Sequence, residues 1–225
     1  MKRKGLHIGI CMLALLLSGC SKDAAVDGPY QDPKGSADKT LAIGTFRIQD
    51  GVPAVRIDAE TLSYVVNPDS VSELADCTRI MLEYVPVNRP FPDFCTEAVH
   101  VEWASALEVG DIRFDMQASP GDPVDIVTDW MTSLEDGFLT LHYRVYASGN
   151  VQHTFSLYPT ASPYGFRLVH EAHGDQGGDL TEGIICFPVG DLLPDTGGET
   201  VTLSLDYLNL PNTSGRLTVD YRNPA

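Results

Sequence analysis

From Thr40 onward, apolar and polar residues alternate with a period of two in short runs broken by turn-forming residues. That is the signature of half-buried strands rather than helices, whose apolar positions recur every three to four residues. The first group of runs is TLAIGTFRI (40–48), PAVRID (53–58), TLSYVV (61–66), TRIMLEYVPV (78–87) and TEAVHVEWASAL (96–107). The segment Gln49-Asp50-Gly51 between the first two is a hairpin signal. DIRFDM (111–116) is expected to close this sheet. About five strands in so short a stretch suit a small OB-like β-barrel. In VHVEW the alternation places Val99, Val101 and Trp103 on one face and His100 and Glu102 on the other, so Trp103 is expected in the core.

The segment QASPGDPVDI (117–126) carries two prolines and a glycine and is read as an exposed joint. After it come FLTLHYRVYA (138–147), QHTFSLYP (152–159), YGFRLVHEA (164–172), GIICFPV (183–189), TVTLSLDYLN (200–209) and RLTVDYR (216–222), separated by turns such as SGN, GDQGGD, DTGGE and PNTSG. Leu139, Leu141, Tyr143 and Val145 share one face, and Thr140, His142 and Arg144 the other, as a sheet wet on one side requires. VGDLLPDT is the one hint of a short helix. The expected architecture is therefore all-β: an OB-like barrel over 40–118, then an immunoglobulin-like β-sandwich over 122–225.

The amino terminus follows a different rule. Lys2, Arg3 and Lys4 precede an apolar run, Ile8 to Leu17, which is too short to span a bilayer as a helix and of the length of a signal-peptide core. It ends in Leu17-Ser18-Gly19-Cys20, which resembles a bacterial lipobox. The resemblance implies removal of residues 1–19 and acylation of Cys20, with more than one chain as stable anchoring needs. Residues 20–39 are small, charged and rich in Pro and Gly, a flexible tether. Lys22 and Asp23 loosely resemble the charged signal that sends lipoproteins of Bacteroides-type bacteria to the outer face of the outer membrane. The expected location is the outer membrane, with the membrane as partner through the Cys20 lipid.

Composition narrows the partners. The 225-residue chain has a formal charge of −16; cleavage after Gly19 removes three of its 15 cations and none of its 31 acidic residues, giving about −19. A phosphate backbone would be repelled, so nucleic acid is not an expected partner. Cys77, Cys95 and Cys186 remain in the processed chain. Cys77 and Cys95 begin consecutive strands, so in a hairpin their sulfurs would lie roughly 30 Å apart, and buried free thiols are expected.

Taken together, the lipobox, the two β modules, GDPVDIVTDWM, LHYRVYASGNVQHTFSLYP and EGIICFPVGDLLP…VTLSLDY resemble the NigD-like lipoproteins of Bacteroides-type bacteria. The resemblance implies an N-terminal OB-like domain and a C-terminal β-sandwich. It implies no biochemical activity and carries over no functional residue.

Candidate chemistry is sparse. His170 and His173 with Glu171 or Asp175 nearby suggest zinc, but positions three apart on a strand face opposite ways, so no metal site is assigned. Asp175, Asp179 and Glu182 lie among glycines, yet their spacing does not fit a calcium loop. His142 and His153 are read as strand histidines. No serine or cysteine carries a recognisable base, and no carboxylate pair stands out. Tyr146 and Tyr158, beside Arg144 and Gln152, are placed on the outer faces of neighbouring strands, where cross-strand pairing outweighs a glycan platform. The expected function is a lipid-anchored binding or accessory protein of the cell envelope, not an enzyme and without a cofactor. A surface glycan-binding lipoprotein and a bacteriocin-immunity-type protector are the alternatives.

Overall fold

The computed structural model describes residues 39–115 and 120–221. Cys20 and the tether up to residue 38 lie outside the described residues. The first five strands are β1 (Thr40–Gln49), β2 (Val52–Arg56), β3 (Leu62–Val65), β4 (Thr78–Pro86) and β5 (Glu97–Ala106). They close into a barrel in the order β1-β2-β3-β5-β4. All neighbours are antiparallel except β3 and β5, which pair in parallel. The β1–β2 hairpin turns at Asp50-Gly51, both at positive φ (53° and 77°), where glycine costs nothing and aspartate is tolerated. A 3-10 turn, Pro68–Val71, seats Val71 in the barrel interior beside Phe46, Val55, Ile80, Leu82, Val99 and Val101.

Trp103 is not in that interior. β5 carries an extra residue: Val101 pairs with Tyr84 and Trp103 with Glu83, leaving Glu102 between them. This bulge resets the alternation, so Trp103 turns outward and is 39 % exposed.

The barrel also ends earlier than the sequence pattern suggests. Asp111 and Ile112 do not close it. Two short strands, β6 (Glu108–Val109) and β7 (Asp111–Ile112), cross instead into the sandwich. β6 adds in parallel to β13, and β7 in parallel to β11. Sheet membership thus changes at Leu107, ahead of the proline-rich joint.

The sandwich strands are β8 (Asp125–Val127), β9 (Ser133–Glu135), β10 (Phe138–Ala147), β11 (Thr154–Pro159), β12 (Gly165–Glu171), β13 (Asp179–Pro188), β14 (Val201–Asn209) and β15 (Thr213–Tyr221). One sheet runs β6-β13-β10-β8, with β9 also on β10; the other runs β15-β14-β12-β11-β7. Leu139, Leu141 and Val145 from the first sheet meet Phe155, Leu157, Phe166, Leu168, Leu203 and Leu205 from the second in one apolar core. The expected short helix is a 3-10 turn at Gly190–Leu192.

Arg79 joins the two modules. Barrel strand β4 presents it to the sandwich, and it is almost wholly buried. Its guanidinium donates to the hydroxyls of Thr45 (3.1 Å) and Thr140 (3.3 Å) and pairs with Glu135 at 3.5 Å. Arg47, also from the barrel, pairs with Asp136 at 2.7 Å. Asp136 and Gly137 form the β9–β10 turn at positive φ, which holds both carboxylates toward the barrel.

Candidate functional site

Among the described residues, two networks gather histidine and carboxylate side chains. The first network lies where the joint meets β12. Pro123 O lies 3.1 Å from His170 Nδ1. A carbonyl only accepts, so His170 carries its hydrogen on Nδ1, and Nε2 is left to accept from His153 Nδ1 at 2.9 Å. His153 Nε2 faces Asp175 Oδ2 at 3.6 Å, an ion-pair distance. Asp175 accepts the Ser148 backbone N–H and hydroxyl at 2.9 to 3.1 Å. Phe155 stacks on the His170 ring with centroids 4.9 Å apart.

Burial, then the neighbouring His153, lowers the pKa of His170 and keeps it neutral. Burial would raise the Asp175 carboxyl, but the Ser148 bonds and His153 outweigh it and hold it below the usual carboxylate range. The joint is held at the same place. Asp122 N–H donates to His170 O at 2.7 Å, and Asp122 Oδ2 accepts the Ala172 N–H at 2.8 Å. A Cβ on Gly121, at φ +83°, would come 2.8 Å from His170 O. The segment read as an exposed joint is therefore, from Gly121 on, docked on β12.

His170 and His173 do diverge. His173 lies past the strand end, exposed and at positive φ, with Nε2 3.0 Å from the Thr154 hydroxyl. Asp175, Asp179 and Glu182 are likewise separated: the first is buried under Ser148, and the other two lie on β13. Among the described residues, no group of three or more His, Cys, Asp or Glu side chains is placed to hold a metal ion.

The second network lies on the outer face of β10. His142, nearly buried, has Nδ1 2.8 Å from Asp129 Oδ2 and Nε2 3.5 Å from Glu182 Oε2. Arg144 Nε donates to Glu182 at 2.6 Å, which with His142 lowers that carboxyl's pKa, and Arg144 approaches Asp125 at 4.0 Å. Sequence reasoning missed Asp129 and Arg79. Asp129 lies in a loop run, TDWM, where its side chain also accepts the Met131 N–H; an Asp two residues before such an N–H is the available signal. Trp130, next to it, is 53 % exposed.

The tyrosine and cysteine expectations need correction. β10 and β11 belong to different sheets, so Tyr146 and Tyr158 are not on neighbouring strands. Tyr146 is 48 % exposed, but Tyr158 is buried. Alternation along one strand does not tell which strand lies beside it. Cys95 and Cys186 are buried free thiols, and burial pushes Cys186 up to about 11. Cys77, also free, is exposed: it sits at positive φ on the barrel rim, with Arg47 Nη1 3.0 Å from its sulfur. It precedes β4 rather than lying within it, so no core face claims its side chain.

Among the described residues no helix is long and apolar enough to cross a membrane. Residues 114–221 match the NigD-like C-terminal beta sandwich domain. Solved structures share the fold. A candidate toxin-related protein from Parabacteroides distasonis superposes with a TM-score of 0.68 at 20 % identity, covering 82 % of this chain and 94 % of that one. A NigD-like immunity protein from Bacteroides caccae gives 0.56 at 18 % identity, covering 81 % and 97 %. A candidate lipoprotein from Bacteroides fragilis gives 0.60 at 9 % identity, covering 84 % and 100 %. No curated protein matches the chain. Residues 114–221, a little under half of the chain, are thus similar to the NigD-like β-sandwich domain, and the solved structures show the same fold.

Proposed function

We propose that this NigD-like chain is a lipid-anchored, non-catalytic binding module of the cell envelope. The observation that carries the reading is the engagement of its polar, chemistry-capable groups. His170 closes on Pro123 O, Asp175 on Ser148, His142 on Asp129, and Arg79 on Thr45 and Thr140. Each bond holds a loop or a module in place, and none aims a nucleophile at a base within an open cleft. The lipobox supplies the anchor at Cys20, and the tether of residues 20–39 gives the β modules reach from the outer membrane. The shared fold of the candidate lipoprotein from B. fragilis is consistent with this.

Cys20→Ala tests the anchor. Metabolic labelling with a palmitate analogue should mark the parent and not the variant, and the variant should leave the membrane fraction. Equal labelling of the two would sink the reading. A second reading, a protector that intercepts a bacteriocin at the envelope, is favoured by the fold shared with the B. caccae protein named an immunity protein. A toxin gene beside the coding sequence would support it; carbohydrate-transport neighbours and glycan-array binding would support a glycan ligand instead.

A further inference from the structure

Strand β13 is longer than what covers it. On its inner edge it pairs with β10 from Asp179 to Pro188; on its outer edge β6 covers only Ile185 and Cys186. Gly110 N–H donates to Cys186 O, so the Cys186 backbone groups point to the outer edge. By the two-residue alternation of strands, the N–H and C=O groups of Leu180, Glu182 and Ile184 point the same way. No strand among the described residues pairs with that stretch.

The side chains there are of two kinds. Leu180 lies opposite Tyr146 and Glu182 opposite Arg144. Leu180 is 49 % exposed and Tyr146 nearly as much. β13 itself carries Asp179 and Glu182 there, Glu182 half-exposed while paired with Arg144 of β10; Asp125 lies on β8, on the far side of β10. Natural sheets usually defend an exposed edge with lysine or proline, and Asp179–Ile184 contains neither.

We propose that the outer edge of β13, over Leu180–Ile184, receives an extended basic peptide segment of a protein partner as an added strand. The three outward N–H and three outward C=O groups supply the ladder. A basic side chain of the segment lies over Glu182, and an apolar one lies against Leu180, with Tyr146 of β10 behind it. Pairing through the backbone gives such a mode its affinity, and alternate side chains give its selectivity. A second copy of this chain is disfavoured, because it would bring Glu182 and Asp179 of two molecules with net charge −16 together. The proposal rests on the reading of the chain as a binding module, and the lipid anchor is independent of it.

The probe is a fluorescent nine-residue peptide of alternating lysine and valine, measured by anisotropy with the whole processed chain. Its controls are the glutamate–valine peptide and a lysine–proline peptide, which has the same charge but cannot lie as a strand. Saturable binding is expected for the lysine–valine peptide alone. It should weaken about tenfold in Glu182→Lys, and binding should slow amide exchange at Leu180, Glu182 and Ile184. Equal binding of the lysine–proline peptide, unchanged affinity in Glu182→Lys, protection at other residues, or no saturation below about 1 mM would each overturn the proposal. So would concentration-dependent self-association that protects the same amides, since a second copy would then occupy the edge. Loss of palmitate labelling with peptide binding intact would strike the anchor and leave the edge standing.

Discussion

The buried His170 ring makes the sandwich sensitive to acid. Its pKa is lowered in the folded state, so below the ordinary histidine value near 6.5 the unfolded chain binds a proton that the folded one resists. Stability therefore rises with pH through that window and is lost on acidification. The depressed Asp175 carboxyl acts in the same direction at lower pH: its contribution is present above about 4 and is lost as pH falls further. Urea unfolding at pH 7.5 and pH 5.5 should show the parent less stable at the lower pH. His170→Gln, which can still donate to Pro123 O, should flatten that difference; an unchanged pH dependence would show that another group controls it. At this scale the sequence conveyed only part of the truth. The divergence of His170 from His173 follows from strand alternation alone. The pairing of His170 with His153 required knowing that β11 and β12 are neighbours, with Thr154 opposite Glu171 and Phe155 opposite His170. Trp103 marks the converse limit, because one extra residue in β5 reverses which face it occupies and leaves no compositional trace.

Among the elements, the β9–β10 turn bears the clasp between modules. Arg79 is a buried cation whose only carboxylate contact among the described residues is Glu135. Burial works against its charge, as its lowered pKa records. Glu135→Gln keeps the shape and removes the compensating charge, leaving the guanidinium stranded. Complete removal of a buried partner costs about 3–5 kcal/mol; Glu135 is partly exposed and its pairing is screened by water, so about 1–3 kcal/mol is expected. Adding Arg79→Met should recover part of that loss, because the stranded charge is then gone. Chemical denaturation of the single and double variants measures both effects, and an additive double variant would deny the coupling. Sequence reasoning had no access to this clasp. Arg79 is the second residue of TRIMLEYVPV, at a position that alternation allows to be polar, and only the packing of another module on that position makes it buried. Hairpins such as β1–β2 and β14–β15 were legible because their turns carry the residues that the turn geometry demands.

At the scale of the whole molecule, the crossing segment Glu108–Ile112 decides where one module stops. Its two strands are only two residues each, too short for a period to register, so the sequence pattern assigns them to the barrel. Their pairing belongs to the sandwich: β6 covers part of the β13 edge and β7 part of the β11 edge. Gly110, between them, packs so closely against the Phe187 ring that any side chain there would clash with it, so the crossing fits the sandwich core closely. A sandwich cut from the chain at Gly121 loses both covering strands and exposes two edges at once, each a template for pairing with another chain. A fragment beginning at Leu107 keeps them. Light scattering coupled to gel filtration should find the Leu107 fragment monomeric and the Gly121 fragment self-associating, and thermal unfolding should place the Gly121 fragment several degrees lower. Equal stability and equal mass of the two fragments would mean that β6 and β7 contribute nothing to the sandwich and that its boundary lies at the proline-rich joint after all.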